Sequence, residues 1–420
     1  MQVYKFGGAS VKDAKAVKNV IEILKHYSSD KKVVVISAMG KTTNELEAVV
    51  NTYYAGNEEW KSLLQTILEK HITVANELIG ENDKTISGKL EILITKATDF
   101  LLLNQSKNYN FIYDQIVSLG EYLSTTLVSA YANMSNLPNT FLDAKTCVFT
   151  DNAYTEAKVD FAKTEKAINN VVPPKLEKGV VITQGFIGCT TEDFVTTLGR
   201  EGSDYTAAIF SYSLHADKMT VWKDVAGIMN ADPKAFTDAT FIPELTFTEA
   251  IEMTYYGASV IHPKTIKPIQ NRNIPLEVRS FIDFKKSGSI ISANANTEFM
   301  PPVIIQKNEQ VLLSFSANDF SFIAEDHLTK VFQTFASNRL RVNMMQNAAI
   351  SFSICVDFKK EKIEQVIEAL SSDFSIIKIE GLTLLTIRHY NQSVIDKLTK
   401  DKSPLIKQIS KNTIQVLMRN

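Results

Sequence analysis

Residues 31–37 read KKVVVIS, a continuous β-branched run with no polar alternation. A strand with one wet face alternates apolar and polar side chains, so a run like this belongs in a strand covered on both faces. That environment is the interior of a parallel sheet flanked by helices. The residues before it complete the unit. Residues 3–6 predict a short buried strand, and KFGGAS (5–10) a glycine turn. From 11 to 24, Val11, Ala14, Val17, Val20, Ile21 and Leu24 recur at helical spacing. Strand, turn, helix and strand make one βαβ unit.

Further along, residues 44–135 are helical in pattern, with Gly80 and Gly88 as punctuation. Strands are predicted at TFLDA (140–144), GVVITQG (179–185), KMTVW (218–222) and IPLEVRSF (274–281). Helices are predicted from 203 to about 214 and over FTEAIEMTYYG (247–257). The fold class is therefore α/β, an open, mostly parallel sheet flanked by helices through about residue 285. Residues 285–302 are richer in Gly, Ser, Asn and Pro and read as a boundary region. Beyond it, strand, helix, two strands, helix and strand follow through residue 388, a ferredoxin-like βαββαβ order. The last stretch, 393–420, adds a helix and strand and stops early for a second complete copy. The expected domains are 1–285 and 303–420; a chain of 420 residues is too long for one ordinary core.

Composition narrows function by exclusion. A formal net charge of −2 argues against a nucleic-acid binder working through bulk positive charge. No apolar run approaches the roughly 18 residues of a membrane span, and the N-terminus lacks a signal-peptide pattern. The three cysteines, Cys147, Cys189 and Cys355, are far apart and suit core thiols in a reducing cytoplasm. The histidines are dispersed, and no His/Cys/Asp cluster has metal-ligand spacing.

Four turns rich in glycine or hydroxyls lie where strands end or helices begin: KFGGAS (5–10), SAMGKTTNE (37–45), QGFIG (184–188) and TTLGREGSDYTAA (196–208). Ligands of open parallel sheets bind beyond the carboxyl ends of the strands, so these turns can share one crevice. Gly7 and Gly8 allow backbone N–H groups to approach an anion, and Lys5 adds a mobile cation; the stretch reads as a phosphate cradle with its cation, though not a Walker A loop. Taken alone, KFGG is better explained by a structural turn. Ser203 and Asp204 can serve as helix cap and dipole partner. Arg200 then lacks a structural reason, and its fork suits a carboxylate or phosphate. Glu121 in VSLGEYLSTT follows Gly120 near a helix start, and is either a dipole-compensating acid or a ligand group. In WKDVAGIMNADP (222–233), Asp224 follows a strand in a loop fit to border a nucleotide.

With these motifs in order (KFGGAS, VVVISAMGKTTNEL, SLGEYLS, VITQGFIG, TTLGREGSDYTAA, WKDVAGIMNADP and YGASVIHPKT), the chain resembles the aspartokinases of the amino-acid kinase fold. The tail resembles their ACT regulatory domains. The resemblance implies phosphorylation of the L-aspartate β-carboxylate by ATP with Mg²⁺ carried on the ATP phosphates, giving 4-phospho-L-aspartate and ADP. That is the first step toward lysine, threonine, methionine and diaminopimelate. It implies Lys5 on the transferring phosphoryl group, with Gly7, Gly8 and Ser37 donating nearby. Arg200 would hold the α-carboxylate of aspartate and Glu121 its ammonium. Thr43 and Ser203 would position the attacking carboxylate, and Asp204 would orient Lys5 or the donor loops. Nucleotide contacts would fall to Lys223, Asp224, Met229, Lys234 and Ser259, with no protein metal ligands.

The chain departs from the family pattern at Ala9 (usually Thr), Glu201 (usually Gly), Lys223 and Met229 (commonly Thr and Tyr) and Ser259 (often Lys); Lys223, Lys234 or Lys264 are candidates for the missing cation. In RVNMMQNAAISF (341–352), Asn343 and Asn347–Ala349 stand where lysine-inhibited members carry acids and hydroxyls, so lysine inhibition is expected to be weak or absent. The ACT region implies a homodimer, and no homoserine dehydrogenase-like segment follows, which implies a monofunctional, cytoplasmic enzyme without nucleic-acid or membrane partners. Two other readings stand beside this one. The first is a sister kinase acting on glutamate, carbamate or a nucleoside monophosphate. The second is a non-catalytic ATP or amino-acid sensor.

Overall fold

The computed structural model describes residues 1–80, 84–258, 261–296, 300–319 and 321–419. The chain divides into two compact units: 1–228 with 241–251 and 260–298, and 229–240 with 252–259 and 299–420.

The first unit opens with β1 (Gln2–Phe6), a 3₁₀ turn (Gly8–Val11), α1 (Ala14–His26) and β2 (Lys32–Ile36). The helix starts at Ala14 rather than at Val11. Asp13 supplies the reason: its carboxylate accepts the Ala16 N–H at 2.8 Å and caps the first turn. Five helices follow: α2 (Thr42–Tyr54), α3 (Trp60–Ile79), α4 (Lys84–Leu103), α5 (Tyr109–Val117) and α6 (Leu119–Met134). Then come β3 (Asn139–Leu142), α7 (Phe161–Val171), α8 (Pro173–Leu176), β4 (Val180–Gln184) and a hairpin of β5 (Ile187–Cys189) and β6 (Val195–Thr197). Next are α9 (Gly202–Ser213), β7 (Lys218–Lys223), and the two-residue strands β8 (Ile228–Met229) and β9 (Phe241–Ile242). β10 (Glu244–Thr246), α10 (Phe247–Tyr256), α11 (Pro263–Asn271), β11 (Leu276–Ser280) and β12 (Ser289–Ser292) complete the series.

Eight strands form one sheet in the order β10-β12-β11-β7-β1-β2-β4-β3. All neighbouring pairs are parallel except β11–β12. Every residue of β2 is buried, as the unbroken β-branched run requires. Phe6 stacks on Trp222 at 5.8 Å and joins Val17, Ile21 and Leu24 of α1 in the core. β1 sits where the strand order reverses, with β2 on one side and β7 on the other; this switch point is where open α/β sheets keep their ligands.

β12 lies inside the stretch read as a boundary. Ser289 and Ile291 face the interior while Ile290 is partly exposed, so a Ser/Gly-rich composition hid an ordinary alternating strand.

The second unit is built on β13 (Val303–Ala317), α12 (Glu325–Ser337), β14 (Val342–Asn347), β15 (Phe352–Asp357), α13 (Lys360–Leu370), β16 (Phe374–Arg388), α14 (Gln392–Thr399), β17 (Ser403–Ile409) and β18 (Thr413–Arg419). Its antiparallel sheet runs β14-β15-β13-β16-β18-β17. β13 begins seven residues before the predicted strand at 310, and both β13 and β16 are 15 residues long. Bulges around Gln310 let the paired long strands serve two halves of the sheet. α12 and α13 cover one half through Val331, Phe335, Ile363 and Val366. α14 covers the other through Ile395, against Ile387, Ile414 and Val416. The tail therefore borrows β13 and β16 to reach four strands with one helix.

Candidate active site

The parallel register sets the ends of the central strands side by side: Phe6 pairs with Ile36 and with Trp222, and Ile36 with Gln184. The glycine turns leave from this common edge and lock together. Ser37 N donates to Phe6 O at 3.1 Å, Gly185 N to Ile36 O at 2.9 Å, and Gly40 N to Gly8 O at 3.0 Å. A Cβ on Gly8 would stand 2.8 Å from the carbonyl oxygens of Ala38 and Gly40, so only glycine allows the first two turns to meet. At Gly185 a Cβ would lie 2.5 Å from the Ser203 Cβ, which seats the start of α9 against the end of β4.

Lys5 projects from β1 toward α9. Its Nζ lies 2.6 Å from Asp204 Oδ1, and both side chains are largely buried. A methyl on Gly7 would approach the same ammonium to 3.3 Å. The cation is thus held over the glycine turn by an acid in the first turn of α9. Ser10, next in the turn, is buried and its hydroxyl has no hydrogen-bond partner.

Glu121 enters from α6. Gly120 packs so closely on Ala38 that a Cβ there would lie 2.8 Å from the alanine methyl. Glu121 Oε1 accepts the Ala38 N–H at 3.2 Å, while Oε2 is buried and without a partner. Burial is the main cause that pushes this carboxyl up to about 8; the Ala38 N–H and the Lys5 charge only partly oppose it. An orphaned buried carboxylate oxygen is costly unless something brings it a donor or a cation. Ser124, one turn further along α6, donates to Ser37 O at 2.7 Å and ties this helix to the SAMGK turn.

Arg200 is exposed, and its guanidinium meets no acid among the described residues. The adjacent Glu201 takes a left-handed backbone (φ 55°) and its carboxylate accepts the His262 N–H at 3.1 Å. The acid in place of the usual glycine therefore turns from Arg200 to the N-terminus of α11. Thr43 lies half-buried in the first turn of α2, and Ser203 is buried in that of α9.

The residues expected on the nucleotide side divide. Lys223 ends β7, half-buried, and Asp224 follows it, exposed. Met229 and Lys234 belong to the second unit. Ser259 lies outside the described residues. Lys264 is already engaged: its Nζ donates to Leu198 O at 2.9 Å and sits 5.1 Å from the Tyr205 ring centre. Among the described residues no His, Cys, Asp or Glu group is arranged to hold a metal, and no helix is long and apolar enough to cross a membrane. Sequence reading passed over Asp114, an acid inside the apolar helix FIYDQIV; that mismatch was its only signal.

Residues 1–280 match the amino acid kinase family. Aspartokinase 2, chloroplastic, of Arabidopsis thaliana is 31% identical over 407 residues, covering 92% of this chain and 72% of its own. Lysine-sensitive aspartokinase 3 of Escherichia coli is 30% identical, covering 84% and 78%. The chain spans only 42% of the bifunctional aspartokinase/homoserine dehydrogenase 2 of Arabidopsis thaliana, at 27% identity. Among solved structures, E. coli aspartokinase III in complex with aspartate and ADP superposes with a TM-score of 0.82 at 26% identity, over 100% of this chain and 96% of that one. The chain belongs to the amino acid kinase family and, within it, to the aspartokinases.

Proposed function

We propose that the chain transfers the γ-phosphoryl group of Mg·ATP to the β-carboxylate of L-aspartate. A carboxylate oxygen forms the new P–O bond, the bond from the γ-phosphorus to the β–γ bridging oxygen breaks, and ADP leaves with that electron pair. The nucleophile is already an anion, so no general base is needed. Catalysis is positioning plus charge stabilisation. Lys5 neutralises charge on the transferring group, and Asp204 keeps its ammonium over Gly7 and Gly8. Ser37 donates beside them. Arg200 holds the α-carboxylate of aspartate, while Thr43 and Ser203 align the attacking group. Lys223, Asp224, Met229, Lys234 and Ser259 are assigned to the nucleotide, and Mg²⁺ arrives on its phosphates.

One observation carries this reading: the unpartnered, buried Oε2 of Glu121 beside the Lys5 turn. An amino-acid ammonium supplies the charge that this oxygen lacks. Carbamate and nucleoside monophosphates bring no such cation, which disfavours two of the sister kinases; glutamate remains a competitor on chemistry alone. The first unit is taken as catalytic and the second as regulatory, with homodimerisation through the second and a cytoplasmic setting. Three buried, unpaired cysteine thiols support the last point.

The test is ADP release with Mg·ATP and a panel of acceptors, trapping acyl phosphate with hydroxylamine, beside Lys5→Ala and Arg200→Ala. Aspartate-dependent hydroxamate lost by at least about 100-fold in both variants is the expected result. Turnover with another acceptor alone would reassign the substrate. Binding of ATP without any turnover would make the chain a sensor.

A further inference from the structure

The turn that carries Arg200 is held from behind by a carboxylate that the transfer chemistry leaves unused. Asp114 of α5 is fully buried, and no lysine or arginine meets it among the described residues. Its oxygens instead gather donors from two separate segments. Oδ1 accepts the Thr197 hydroxyl at 2.7 Å and the Thr155 N–H at 3.1 Å. Oδ2 accepts the Thr197 N–H at 2.8 Å and the same Thr155 N–H at 3.0 Å. Thr197 is the last residue of β6, three before Arg200.

The second segment is strained. Tyr154 and Thr155 are successive non-glycine residues in the left-handed region, with φ of 54° and 55°. Side chains disfavour that conformation, so it persists only where neighbours over-determine it. Here the clamps are the Asp114 carboxylate on Thr155 and a bond from Ala157 N to Thr197 O at 3.0 Å. The strap so formed lies against Gly199 (φ 77°), where a Cβ would stand 2.9 Å from Glu156 Cγ and 3.2 Å from Thr155 O. Gly199 immediately precedes Arg200.

We propose that Asp114 is a positioning residue. By fixing Thr197 and pressing the Tyr154–Thr155 strap onto Gly199, it sets where the Arg200 guanidinium stands for the carboxylate of the amino-acid substrate. The inference rests on the reading of Arg200 given above. A carboxylate is needed because every partner is a donor; an amide offers one acceptor oxygen and turns its own N–H groups toward another donor.

The experiment is steady-state kinetics on the full chain with Asp114→Asn, Arg200→Ala and the double variant, together with Thr197→Val and Thr197→Ser. Asp114→Asn should raise the aspartate KM by about 10-fold or more while kcat and the ATP KM stay within about 3-fold. In the Arg200→Ala background it should add less than about 2-fold, because the residue through which it acts is gone. Thr197→Val should follow Asp114→Asn, and Thr197→Ser, which keeps the hydroxyl, should behave as the parent. If Asp114→Asn does not fold, the two Thr197 variants carry the same test. Equal losses for both substrates, an unchanged aspartate KM, or a full extra effect on top of Arg200→Ala would each overturn the proposal. An Arg200→Ala enzyme with the parent's aspartate KM would instead remove the assignment of Arg200, and this proposal with it.

Discussion

Glu121 shows how burial prepares the carboxyl proposed above for the substrate ammonium. Its carboxyl is pushed up to about 8 from an ordinary 4.5, mainly by desolvation. Between those values the folded chain binds the proton that the unfolded chain has lost. Stability therefore falls as pH rises from about 4.5 to about 8 on account of this group. Glu121→Gln should make the ligand-free protein more stable at pH 8.5, by about 1–3 kcal/mol in denaturant melts. The same change should lower kcat/KM for aspartate by roughly 100-fold, since it removes one half of the proposed ion pair with the substrate ammonium. In the parent enzyme, kcat/KM for aspartate should rise with pH up to about 8, as the carboxylate becomes free to hold the ammonium. A flat profile across that range would argue against Glu121 as the ammonium site.

Among the elements, the turns after β1 and β2 are coupled by glycine. Gly8→Ala places a methyl 2.8 Å from two carbonyl oxygens, and the SAMGK turn must move away. A cost of about 1–3 kcal/mol in stability is expected, with a weakened ATP affinity seen in the ATP KM. The β13–β14–β15 region carries its own prediction. Asn343 accepts from Lys307 Nζ at 2.9 Å and donates to Gln310 and Asp357, each at 2.8 Å. Its amide is thus committed within the unit and presents no free carboxylate to an effector ammonium. Inhibition by lysine should be weak or absent, and half-maximal inhibition at sub-millimolar lysine would refute this.

For the molecule as a whole, the antiparallel sheet ends on two edge strands, β14 and β17, with Met345, Leu405 and Ile409 exposed there. Gln408 of β17 donates to the Met345 carbonyl of β14 within the chain, and the edge groups that remain invite pairing with a second copy. Light scattering should therefore report twice the 46.9 kDa chain mass, and Met345→Lys with Ile409→Lys should shift the population toward monomer. A strictly monomeric parent would remove the dimer from the account.

The layering of the first unit was legible in local pattern, because β2 is buried on both faces and says so in every residue. The βαββαβ order through residue 388 was legible for a different reason: the apolar residues of α12 and α13 recur at helical spacing between runs of strand-forming residues. Local pattern misled where composition and burial disagree: β12 hides in a Ser/Gly-rich stretch, and α1 begins only where Asp13 caps it. The motifs named Lys5, Gly8, Glu121 and Asp204 as candidates, yet nothing in their spacing says that Lys5 meets Asp204 across 199 positions, at 2.6 Å. That meeting depends on strand register and on how closely glycine backbones approach. Asp114 showed only as a lone acid in an apolar helix, and its role was not legible, since its donors come from β6 and a distant strap. Periodicity and turn chemistry are properties of neighbours along the chain and can be read from it; convergence, orphaned oxygens and shifted ionisation are properties of neighbours in space, created when remote strands align.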